Sequence, residues 1–282
     1  MTVRLIDALR ETLEGWSDDL SADWRSVLGA VELGFADSDQ NLEMEIWEPI
    51  FPPRKARTFP GAPAGAHILR AFDRIAPSDV RCVVLGQDPY PEPGFSTGRA
   101  FESGNVAQWR ELEKMFSRSV RAYMQQICAA RTGRPELASS FAAWPTLLAE
   151  IEAGSVELEA PDGIADHWED EGVLLLNSSL TISRFDKAVD RHQSHGHLPV
   201  WRPLMQAVLK HLAASARPIV YLAFGDIAAE NLRLAGLDNP AAPQATIFRP
   251  HPAAADELLS LENPFVACNR HLAEAGAAPI AW

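Results

Sequence analysis

Four short, nearly uninterrupted apolar runs punctuate the chain: RCVVLG at 81–86, VLLLN at 173–177, PIVYLAFG at 218–225 and ATIFR at 245–249. Stretches with apolar positions three and four apart separate them, at 106–127, 200–214 and 227–234, and this spacing predicts helices. Apolar strands alternating with helices imply a parallel sheet covered on both faces. The expected fold is therefore three-layered α/β/α around a central four-stranded parallel sheet, in one domain spanning residues 1–282. Residues 3–34 read as two amphipathic helices carrying Leu5, Ile6, Leu9, Leu13 and Trp16, within an N-terminal helical extension over 1–45. A helix around 66–75 leads through Pro77 and Ser78 into the first strand. Residues 49–63, rich in proline and basic side chains, should be irregular. The acidic stretch 150–171 reads as a solvated loop anchored by Ile164 and Trp168.

Composition narrows the class. No apolar run approaches the roughly 20 residues that span a bilayer. The N-terminus scatters acids through a helical pattern, unlike a signal peptide. Cys82, Cys128 and Cys268 are far apart and form no CxxC pair, which speaks against a zinc site or a disulfide framework and fits a reducing cytoplasm. The net charge of −13 opposes nonspecific DNA affinity, yet a local basic surface can sit on an acidic body.

In an open parallel sheet, ligands bind beyond the carboxyl ends of the strands. The first strand delivers Gln87, Asp88 and Tyr90 there, the second Asn177, the third Gly225 and Asp226, and the fourth His251 and Pro252. Singly, an asparagine after a strand is a turn residue and a histidine a structural hydrogen-bonder. A carboxylate, an amide, an imidazole and an aromatic ring on one rim together suggest a pocket. Pro89, Pro91 and Pro93 stiffen the first loop.

These motifs resemble the uracil-DNA glycosylase superfamily, most closely its family 1. GQDPY at 86–90 matches that family's first motif, followed by Pro93-Gly94 and the pattern leading to Phe101. GVLLLN at 172–177 with Leu180-Thr181, Phe224-Gly225 with Ala228, and His251-Pro252 match later blocks, and residues 263–282 resemble its C-terminus. The resemblance implies a uracil-DNA glycosylase-like fold and hydrolysis of the N-glycosidic bond of uracil in DNA, leaving an abasic site for base excision repair. It implies no cofactor and no metal, with DNA as partner and no membrane. Asp88 would stabilise the sugar cation and orient water, and His251 would donate to uracil O2. Asn177 would read the N3–H and O4 edge, Phe101 would stack on the base (a core role reads equally well), and Tyr90 would exclude the thymine methyl. Gln87 joins the substrate-contacting set.

The loops that handle duplex DNA depart from the family. The implied DNA contacts fall on Gly225, Asp226, Pro252 and Ala255. Ala255 stands where the family has a leucine wedge, with Leu258 or Leu259 as substitutes in a longer loop, and Asp226 where it has a phosphate-touching serine. Pro91 replaces the histidine closing the first motif. Arg110, Lys114, Arg118 and Arg121 fall on one stripe of the helix predicted at 106–127, opposite Leu112, Phe116, Val120, Tyr123 and Ile127. That stripe reads either as an ordinary polar face or as a replacement DNA clamp. Three functions stay open: a glycosylase favouring single-stranded or distorted DNA, a base-binding protein without efficient cleavage, and a glycosidase for a modified base or a free nucleoside.

Overall fold

A computed structural model describes residues 1–115, 117–184 and 191–282. In chain order its strands and α-helices are β1 (Thr2–Arg4), α1 (Leu5–Thr12), α2 (Ala22–Leu28), β2 (Glu43–Glu45), β3 (Cys82–Gly86), α3 (Arg118–Thr132), α4 (Trp144–Glu152) and α5 (Ile164–Asp170). They continue as β4 (Val173–Asn177), α6 (Leu198–Ala214), β5 (Val220–Phe224), α7 (Asp226–Leu234), β6 (Ala245–Arg249), α8 (Ala255–Ser260) and α9 (Pro264–Glu274).

Four strands form one parallel sheet in the order β4-β3-β5-β6. Every residue of β3, β4 and β5 is buried, which is why these strands read as apolar runs rather than alternating ones. Alternate residues serve opposite faces. Cys82, Val84, Leu175 and Phe224 pack with Tyr123, Trp168 and Phe265 on one side. Val83, Leu85, Leu176 and Tyr221 pack with Leu5, Trp24, Trp201 and Leu232 on the other. Helices α3, α5, α8 and α9 thus cover one face, and α1, α2, α6 and α7 the other, giving the three layers. The N-terminal helices belong to the second layer: Trp24 is fully buried, donates its indole N–H to the Ile75 carbonyl at 2.7 Å, and meets Phe72 edge-on. Burial of each such side chain contributes about 1.5–3 kcal/mol.

Several elements differ from the sequence expectation. The terminal segment adds a strand pair, with β1 ahead of the two expected helices pairing antiparallel with β2 beyond them. No α-helix forms at 66–75; the Arg70–Phe72 segment makes one 3₁₀ turn. There the His67 amide bonds to the Thr97 carbonyl and the Ile68 amide to the Pro53 carbonyl, so long-range partners replace the helical ladder. The single helix expected at 106–127 is a 3₁₀ segment, Trp109–Lys114, followed by α3. The Ser117 hydroxyl caps the Leu112 carbonyl at the break. Phe116 of the expected apolar stripe lies outside the described residues. The acidic stretch 150–171 is not one solvated loop: it holds the end of α4 and all of α5, with Ile164 and Trp168 buried as its anchors. Among the described residues, no helix is long and apolar enough to cross a membrane.

Candidate active site

Parallel pairing carries the ends of β3, β4, β5 and β6 to one rim, with Gly86 opposite Asn177 and Phe224 opposite Arg249. A cavity of about 260 Å³ opens there, and Gln87, Asp88, Tyr90, Phe101, Asn177 and His251 all line it. Four separate segments of chain thus bring an acid, two amides, an imidazole and two rings together. Gly86 forms the floor between them. A Cβ on Gly86 would lie 2.7 Å from Asn177 Oδ1 and 3.4 Å from the Phe101 ring, so a side chain there would crowd both.

The carboxylate is held from both sides by neutral donors. The Gln87 amide donates to Asp88 Oδ2 at 2.9 Å, and the Gln193 amide donates to Oδ1. Asn177 is 3% exposed, and the chain after it is tied back to the neighbouring loop. The Ser178 amide bonds to the Gly86 carbonyl and the Ser179 amide to the Gln87 carbonyl, both at 3.0 Å.

His251 is fixed in tautomer as well as place. The Ala253 amide donates to its Nδ1 at 3.1 Å, so Nδ1 acts as acceptor and the ring proton resides on Nε2. Burial lowers the imidazole pKa, which keeps the ring neutral at neutral pH. The result is a neutral N–H donor. Gly225, with φ of +93°, caps β5 against this ring; a Cβ there would come within 3.2 Å of the His251 Cβ.

The two rings are braced differently. Phe101 adopts φ of +59°, a left-handed conformation that costs a non-glycine residue about 1–2 kcal/mol. That backbone turn stacks one face of the ring on Tyr123 at 4.5 Å, nearly parallel, while the side chain still borders the cavity. Tyr90 sits edge-on to Phe95 at 5.6 Å, next to buried Pro89. Behind the pocket, Arg99 lines the cavity with Glu102 and meets Glu102, Asp166 and Glu169 at 3.2, 2.6 and 2.9 Å. Burial pushes the Glu169 carboxyl up to about 8, with Arg99 opposing the rise.

Sequence relatives align with this chain over most of their length. Uracil-DNA glycosylase of Porphyromonas gingivalis is 32% identical over 232 residues, covering 80% of this chain and 85% of that protein. Uracil-DNA glycosylase 1 of Streptomyces coelicolor is 30% identical over 263 residues, covering 93% of this chain and 95% of that protein. The chain belongs to the uracil-DNA glycosylase family. The crystal structure of the UNG protein from Nitratifractor salsuginis has the same fold, with a TM-score of 0.61 over 94% of this chain and 97% of that one, at 21% identity. No protein-family profile matches the chain.

The residues expected to contact DNA are placed differently from that expectation. Ala255, expected as the wedge, is fully buried at the start of α8, and Leu258 and Leu259 are buried behind it. None of the three can reach a partner; only the side chains of Ala253, Ala254, Asp256 and Glu257 are exposed in this loop. Asp226 is exposed at the head of α7, where its charge suits the helix dipole. The expected basic stripe is divided between two elements. Arg110 forms a two-pronged ion pair with Glu152, Arg118 binds Asp256 at 2.8 Å and the Ala253 carbonyl at 3.1 Å, and Lys114 is exposed. Arg118 and Arg121 also lie over the Phe141 ring. Gln193, Arg99, Glu102 and Ile182 were not anticipated at this site. Gln193 follows the 185–190 segment, 105 positions from Asp88, and no local motif announces it.

Proposed function

We propose that this chain removes uracil from DNA by hydrolysing the bond between C1′ and N1, and that it favours single-stranded or distorted substrates. The bond breaks with its electron pair going to uracil, leaving cationic character on the sugar. Asp88, ionised and beside the cavity, stabilises that cation and orients the water that adds to C1′; the water's proton leaves through solvent or the base. The neutral Nε2–H of His251 donates to O2 as negative charge builds there, a preorganised role that does not require the ring to take up or lose a proton. Asn177 pairs with the N3–H and O4 edge, and the reversed donor pattern of cytosine would leave the buried amide mismatched. Phe101 supplies the stacking face, and Tyr90 occupies the space a thymine methyl would need.

The observation that carries this reading is the convergence of Asp88, Asn177 and the tautomer-fixed His251 on one cavity. A pocket that only binds a base gains nothing from a carboxylate placed for the sugar. The strand preference rests on the rim. Extracting a stacked base costs a few kcal/mol, and the 253–257 loop presents no apolar wedge to offset it.

The test is release of labelled uracil from single- and double-stranded oligonucleotides in EDTA. Free uracil and alkali-labile abasic sites are expected, fastest on single strands. DNA left intact at high enzyme concentration would leave base recognition without cleavage as the function. Equal rates on both substrates would remove the strand preference alone.

A further inference from the structure

Asp88 can serve the sugar cation only if its carboxylate keeps its orientation, and two neutral amides, those of Gln87 and Gln193, donate to its oxygens. Gln87 is adjacent in sequence and forms part of the cavity wall. Gln193 is 5% exposed, and its amide Nε2 reaches Asp88 Oδ1 from behind while also meeting the Thr181 carbonyl at 3.3 Å. We propose that Gln193 is the positioning residue that aims the Asp88 carboxylate, and that the π-helical turn His192–His197 exists to present it. The proposal rests on the glycosylase reading above and deepens it.

The turn is rigidly mounted. π-Helical turns are rare and concentrate at functional sites, because the widened ring reaims side chains. This one runs directly into α6. Its last residue, His197, is fully buried, with Nδ1 2.8 Å from the Thr181 hydroxyl and Nε2 3.0 Å from the Ser183 hydroxyl. Trp201, on α6, donates its indole N–H to the same Thr181 hydroxyl at 2.7 Å. Thr181 lies four residues beyond Asn177, on the segment that Ser178 and Ser179 tie to the Gly86–Gln87 loop. Gln193 and Asp88 are therefore referenced to the same strand ends by independent routes.

Chemistry explains why an amide suits this position. A lysine or arginine would hold the carboxylate equally well, but its charge would oppose the cation forming at C1′. A serine would not span the gap. A neutral side chain with a long reach and a single N–H aimed at Oδ1 fixes the direction of the lone pairs and leaves the charge intact.

Gln193→Ala and the near-isosteric Gln193→Met should lower kcat for uracil release by about 10- to 100-fold, the scale of misaligning a catalytic group, with KM within about twofold. In an Asp88→Asn background, Gln193→Ala should change kcat by less than about twofold, because no carboxylate remains to be aimed. A native kcat in Gln193→Met, or an equal loss in both backgrounds, would overturn the proposal. Either result would leave the glycosylase reading standing, because that reading fails only if the unaltered chain releases no uracil. Gln193→Met also guards against misfolding: it fills the same volume, and its melting temperature is compared with that of the unaltered chain.

Discussion

The pocket and its rim lie a few ångströms apart and are built on opposite plans. In the pocket, three of the lining side chains are restrained by the backbone or by a neutral partner. Asp88 meets two amides, His251 one backbone N–H, and Phe101 a stacked ring. At the rim, two of the cations are paired within the molecule: Arg110 with Glu152 and Arg118 with Asp256. The only side chains the 253–257 loop offers to solvent are alanines and acids. The pocket grows from the ends of buried strands, whose geometry cannot shift without disturbing the core. The rim grows from the exposed ends of helical elements and the turns between them. On the proposed reading, base chemistry belongs to the pocket and duplex handling to the rim, and the two can be varied separately.

The sharpest way to break this contrast is Asp88→Asn. If the pocket is catalytic, kcat should fall about 10³-fold, roughly 4 kcal/mol, with KM nearly unchanged. Turnover at the native rate would show that the carboxylate is only a turn residue. Next in size is Tyr90→Ala, which should raise thymine release by about 10- to 200-fold, the range one methyl group commands in a shaped pocket. A variant still blind to thymine would assign the exclusion to another wall. The rim is tested by adding what it lacks. Ala254→Leu places an apolar side chain on the exposed loop, and should raise kcat/KM on double-stranded DNA by about three- to tenfold, with single-stranded turnover unchanged. The smallest expected effect concerns the pocket's back wall. Glu169 keeps its proton up to about pH 8 in the fold, whereas the unfolded chain releases it near its ordinary value of about 4.5. Its contribution to stability therefore declines as pH rises from about 4.5 to 8. Glu169→Gln should flatten that decline, read as a melting-temperature difference from the native chain of a few degrees that grows between pH 5 and pH 8.

The strands were legible because burial on both faces leaves an unmistakable apolar run; 173–177 and 245–249 match β4 and β6 residue for residue. The identity of the pocket residues was legible for a related reason, since strand ends mark where ligands bind. What escaped were features set by long-range partners. Residues 66–75 carry a helical pattern, but the amides of His67 and Ile68 find carbonyls on distant loops. The stripe from Arg110 to Arg121 depends on helical continuity that ends at Ser117. Ala255 looked like a loop tip because nothing in PAAADE distinguishes a buried alanine from an exposed one. Gln193 reaches Asp88 only through the tertiary fold.

The pairing of Gly86 with Asn177 in the central sheet has a consequence for fidelity. The hydrogen-bonding ladder that places the Asn177 amide is the same ladder that holds β3 to β4, so the position of that amide is tied to the sheet itself. Amide exchange at these positions should track global unfolding, far slower than in the 253–257 loop. If Asn177 reads the base edge as proposed, that reading is as durable as the central sheet.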